Sequence, residues 1–121
     1  MREVHVDLEH VTAARGGQVY GVGGARLGTL TTVYLAEGTG RPEWIEVKLG
    51  PMKHRLVPLD HAQVVDERVD VPVDRRVVNK APRIRAHHGV VRPVDEQRLV
   101  EHYDLRPSHH RAHALQEFPA G

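Results

Sequence analysis

The chain of 121 residues has no cysteine, which excludes disulfides, thiolate nucleophiles and thiolate-ligated metals. It has a single serine, Ser108, and no Gly-x-Ser-x-Gly elbow, so serine-based acyl transfer has no nucleophile to build on. It has one tryptophan, Trp44, and only three tyrosines and one phenylalanine beside it, so aromatic side chains are few. Neither sign of charge dominates, because 17 Lys+Arg face 16 Asp+Glu for a net +1. That balance gives no general pull toward nucleic acid or an anionic membrane. No apolar run approaches the roughly 18 residues a membrane span needs, and Met1 to His10 lacks the basic start and apolar middle of a signal peptide. The expectation is one soluble, cytoplasmic domain.

What the sequence does have is alternation. Between Arg41 and Asp74, Ile45, Val47 and Leu49 alternate with Glu46 and Lys48, the period of a strand with one buried and one wet face. Gly50-Pro51-Met52-Lys53 breaks the run, since glycine supplies unusual φ and proline has no N–H to donate. A second strand, Arg55 to Leu59, follows. Ala62 to Val65 and the polar turn Asp66-Glu67-Arg68 lead to a third, in which Val69, Val71 and Val73 alternate with Asp70, Pro72 and Asp74. Pro72 cannot donate to a ladder, which puts that strand at an edge or beside a bulge. Upstream, Gln18 to Tyr20 and the β-branched run Gly28 to Ala36 are joined by the glycine-rich stretch Gly21 to Ala25, the pattern of a hairpin. Met1 to Thr12 fits either period, and a short strand or turn is expected there.

The pattern changes after Asp74. Arg75 to Asn79 has no period of two, and Ala81-Pro82 steers the chain out of helix, so a turn or one helical turn is expected. Asp95 to Tyr103 sets Leu99, Val100 and Tyr103 at helical spacing. Pro93 stands near its start, and Asp95 and Glu96 suit the positive end of the dipole. This is the one well-formed helix the sequence predicts. The tail beyond Pro107 has only Leu115 and Phe118 as large apolar anchors, too few for a core of its own.

The segments GTGRPEWIEVKLG, LVPLDHAQVV, VDVPV, NKAPRI and DEQRLVEHY, in that order, resemble the PRC-barrel family as found in small actinobacterial proteins. The resemblance runs from Gln18 to Leu105. It implies an all-β fold, a small PRC-type β-barrel over residues 18–105 with one short C-terminal helix at 95–103. An N-terminal extension (1–17) and a His-containing tail (106–121) flank it. Relatives include the cytoplasmic domain of the photosynthetic reaction-centre H subunit and the C-terminal domain of a bacterial ribosome maturation factor. These share a fold and differ in function, so the resemblance implies architecture and leaves activity open. Where family members carry a capping Ser or Thr before the acidic pair, Arg92 stands here, which predicts a fraying first turn.

The functional expectation is a non-catalytic protein-interaction module, an adaptor with no cofactor, that binds an unknown protein partner. The alternative is an RNA- or ribosome-associated factor that uses the basic segment 75–92. Arg75, Arg76, Lys80, Arg83, Arg85 and Arg92 follow one another there with no intervening carboxylate, a grip for phosphate or an acidic protein surface. The segment lacks the interleaved aromatics on which single strands stack, so nucleic acid is not favoured. Trp44 lies on the strand face opposite Ile45. It is either an exposed binding anchor or the centre of a second small core. Glu43 and Glu46 point to opposite faces, so they are read as rim charges and not as an acid–base pair. Gly21 to Arg26 imitates a dinucleotide fingerprint, but Arg26 stands in the third glycine's place and no βαβ unit follows.

Of ten histidines, His109 and His113 would share one face of a helix at the spacing zinc sites use. Two imidazoles leave the coordination shell incomplete, so no metal site is assigned. A small barrel exposes strand edges. Val4, Val6, Leu8, Leu115 and Phe118 are apolar residues the core pattern does not claim, which makes a homodimer a further expectation.

Overall fold

The computed structural model describes residues 8–36, 41–84, 90–105 and 115–117. Its strands are β1 (Gln18–Tyr20), β2 (Arg26–Ala36), β3 (Pro42–Gly50), β4 (Lys53–Pro58), β5 (Gln63–Val65), β6 (Arg68–Asp70), β7 (Val90–Val91) and β8 (Leu115–Glu117). Six of them form one path in the order β4-β3-β2-β1-β6-β5, and β8 joins through β2 and β7. Every pairing is antiparallel except that of β1 with β6.

β2, eleven residues long, is the spine of the sheet. One of its edges carries β3, and the other carries β1 at its start and β8 at its end. Register shifts at Leu30/Thr32 and Tyr34/Leu35 are bulges, which bend a strand and increase its twist. Gly28 is required where β2 meets β3. A Cβ there would stand 2.0 Å from the Lys48 carbonyl oxygen, a backbone atom that cannot step aside.

The alternation seen in the sequence becomes the inner core. Val19, Leu30, Val33, Ile45, Val47, Val57 and Val69 are all buried in one cluster. Burying each such side chain contributes about 1.5–3 kcal/mol. The segment before β1 is not a strand or turn but a helix, α1 (Leu8–Ala13). Val11, together with Ala14 just beyond it, sits in the same core at 0% exposure, and burial of one helical face decided between the two periods.

Among the described residues the sheet does not close into a barrel. β4 and β5 are the ends of the path, and among the described residues no ladder joins them. The chain instead crosses between them as a turn through buried Leu59 and Ala62, with Leu59 N–H donating to Glu43 O and Ala62 N–H to Leu59 O, both at 3.0 Å. Pro58, last in β4, has no N–H to extend that ladder. The third strand also ends sooner than its alternation suggested, at Asp70. β6 lies between β1 and β5, so Pro72 terminates a strand and does not mark an edge. In the β3–β4 turn the left-handed residue is Met52, at φ 59°, and not Gly50.

Two further helices are described, the single helical turn expected at Arg75 to Asn79 and the well-formed helix expected near the C-terminus, so α1 is the one helix not anticipated. In α2 (Arg75–Asn79), Asp74 caps the first turn by accepting from Arg76 N–H at 2.7 Å. α3 (Pro93–Tyr103) begins on Pro93, whose missing N–H costs nothing at a helix start. Arg92 offers no side-chain cap, and its guanidinium donates to Asp95 at 3.1 Å. The helix ends at Asp104, in left-handed conformation, with Leu105 N–H returning to Val100 O at 3.0 Å. α3 covers the outer face of the sheet. Leu99, Val100 and Val91 pack there on Tyr34, Trp44 and Leu56 as a second core.

Candidate functional site

The basic segment takes its shape from α2. Val78 is the helix's one buried residue and is fixed in the inner core. At about 100° per residue, Arg76 and Lys80 then fall on the side opposite Val78, facing water, with Arg75 and Asn79 on one flank and Val77 on the other. Arg75, Arg76, Lys80 and, past the helix, Arg83 are all exposed. Among the described residues no carboxylate pairs with any of these four. The nearest acid in sequence, Asp74, is already engaged as the N-cap.

The fold adds neighbours that linear reading missed. Lys53, the first residue of β4, donates its ammonium to Asn79 Oδ1 at 3.0 Å, so its charge joins one flank of α2. Just before it, in the β3–β4 turn, Met52 is 88% exposed. On the other flank the His102 Nε2 lies 2.7 Å from the Val77 carbonyl, to which it donates, tying α3 to α2. A lysine at a strand start twenty-six residues before Asn79 has no local signal of this placement. Arg85, His109 and His113 lie outside the described residues.

Trp44 is not an exposed anchor. It is wholly buried, because α3 closes over it. Its indole Nε1 donates to Glu96 Oε2 at 3.0 Å, and Glu96 is itself 0% exposed. Sequence reading had given Glu96 to the helix dipole. A sharper signal was present, since Glu96, Leu99, Val100 and Tyr103 stand at i, i+3, i+4 and i+7 and share one helical face.

Tyr103 packs at the border of both cores, with its ring centroid 6.0 Å from that of Trp44. Its hydroxyl donates to the Leu56 carbonyl at 2.7 Å, on the sheet's end strand. Burial pushes the phenol well above its ordinary value, with the Arg55 guanidinium acting in the opposite direction. Glu46 is not a free rim charge either, because the Thr31 hydroxyl donates to its carboxylate at 2.9 Å.

Elsewhere, a shallow open cleft is lined by Gly17, Gln18, Tyr20, Val65 and the turn Asp66, Glu67 and Arg68. The Arg68 guanidinium stacks 4.1 Å over the Tyr20 ring, which occupies both groups. Among the described residues no three His, Asp or Glu side chains come together as a metal shell, and no helix is long and apolar enough to cross a membrane. Of the segments named for self-association, the described parts take up regular structure. Residues around Leu8 form α1, and the backbone of Leu115–Glu117 pairs with β2 and β7.

A family model for the PRC-barrel domain matches residues 8–78, from the start of α1 to the buried valine of α2. No curated protein matches the chain.

Proposed function

Because the chain belongs to the PRC-barrel family, whose domains often serve as protein-interaction modules, we propose that it is a non-catalytic adaptor that binds another protein through the outside of its sheet. One observation carries this reading. α2 buries Val78 alone and holds Arg75, Arg76 and Lys80 in water with no carboxylate among the described residues to neutralise them. Unpaired cations on a short, fixed helix contribute little to stability. They do create a local field that steers an oppositely charged surface. The inner face of the sheet is packed with side chains, so recognition falls to the exterior.

The test is native co-purification followed by reconstitution. Full-length protein and an Arg75→Glu/Arg76→Glu/Arg83→Glu variant are recovered from the source cells, the protein lost with the variant is identified, and binding is remeasured from purified components. A stoichiometric protein complex that the variant abolishes supports the adaptor. Recovery of RNA alone, unaffected by protease and removed by nuclease, would replace it with an RNA-associated factor.

A further inference from the structure

Resting on the adaptor reading, the geometry points to an acidic protein segment with apolar residues among its carboxylates as the partner of α2, docked along the helix beside the β3–β4 turn. The first support is the layout of charge. Arg76 and Lys80 form the crest of α2, Arg75 and Arg83 extend it, and Lys53 is brought alongside by its bond to Asn79. Guanidinium groups are suited to gripping planar carboxylates.

The second support is apolar. Exposed large hydrophobic residues are few, and two of them border this ridge. Met52, at 88% exposure, is next to Lys53 in the chain, and Val77, at 37%, is on the helix itself. Met52 keeps its side chain in a left-handed backbone conformation, φ 59°. A glycine would hold that conformation without strain. A flexible thioether held in water beside cations adapts to varied apolar partners.

Nucleic acid fits this face less well. Of the aromatic rings near enough to be considered, Trp44 and Tyr34 are buried, Tyr103 is bonded to Leu56, and Tyr20 is stacked by Arg68. Among the described residues the His102 imidazole beside the ridge is engaged by the Val77 carbonyl, and no Trp or Tyr ring there is free for a base to stack on. Among the described residues the cations also occupy one short helix, Arg83 just past it and the start of β4, with no long track for a phosphate backbone.

The experiment is fluorescence anisotropy on the full chain with three labelled probes of equal length. These are a glutamate-rich peptide carrying two leucines, an all-glutamate peptide, and an oligouridylate. The expected result is tightest binding to the leucine-containing peptide. Arg76→Glu/Lys80→Glu weakens it about tenfold or more. Arg76→Gln/Lys80→Gln weakens it less, Met52→Gly selectively removes the advantage of leucine, and raised salt weakens every interaction. Arg26→Glu/Arg98→Glu changes net charge equally at exposed sites elsewhere and leaves affinity intact. Thermal unfolding of each variant confirms the fold.

Equal weakening by the Arg26/Arg98 control would overturn the site, because net charge alone would then explain binding. Tighter binding of the oligouridylate would overturn the partner class. If no peptide binds while the reconstituted protein complex persists, the inference fails and the adaptor stands.

Discussion

Two helices pack on the same sheet and treat charge in opposite ways. α3 turns a carboxylate inward, where Glu96 meets the Trp44 indole with no exposure to water. α2 inserts one valine and leaves its cations outside. A buried ionisable group persists only where its surroundings over-specify its position, so α3 is part of the structure. A helix with one buried side chain and solvated cations specifies little internally. Among the described residues its charges meet no carboxylate, and on the proposed reading this separates the covering helix from the binding helix.

The sharpest break of this contrast is at Trp44. Trp44→Ala should cost about 3–5 kcal/mol in urea unfolding, because it empties the centre of the outer core. A loss below about 1 kcal/mol would mean that α3 does not depend on this contact. Next comes Glu96→Ala, which strands the buried indole N–H and should cost about 1–3 kcal/mol. Glu96→Gln, which keeps an acceptor, should cost less. A charge-only role for Glu96 would reverse that order.

Tyr103→Phe should cost about 1 kcal/mol at neutral pH through the lost bond to Leu56. Its pH dependence has a definite sign. Burial favours the neutral phenol, so the folded value lies above the ordinary 10.0. That stabilisation is whole below about pH 10 and is lost as pH rises through and beyond it. The gap between wild type and Tyr103→Phe should therefore narrow in alkali, and a gap that widens would contradict the burial of the phenol. Smallest of all, Arg76→Glu/Lys80→Glu should shift stability by no more than about 0.5 kcal/mol. A larger loss would make α2 structural as well.

The parts legible in the sequence were those fixed by near neighbours. Ile45 and Val47 announced the inner face of β3, the glycines before Arg26 announced a hairpin, and Pro93 with the Leu99–Val100–Tyr103 spacing announced α3. The parts missed depend on distant segments. Whether Trp44 is a surface anchor or a core residue is decided by Glu96, fifty-two positions away. Lys53 joins the α2 cations only once the β3–β4 turn is placed. Closure of the sheet failed because β5 and β6 have three residues each and the chain between β4 and β5 runs through a buried turn. α1 was ambiguous because Leu8 and Val11 satisfy a strand and a helix locally, and only contact with the inner core chooses.

The most direct measurement of the central claim, that α2 receives the partner while α3 stays closed, is a backbone NMR titration of the full chain with the leucine-containing glutamate-rich peptide. The account predicts shifts concentrated at Met52, Lys53 and residues 75–83, with the Trp44 indole N–H resonance unmoved. Shifts centred on α3 and the Trp44 indole, with residues 75–83 unchanged, would contradict it.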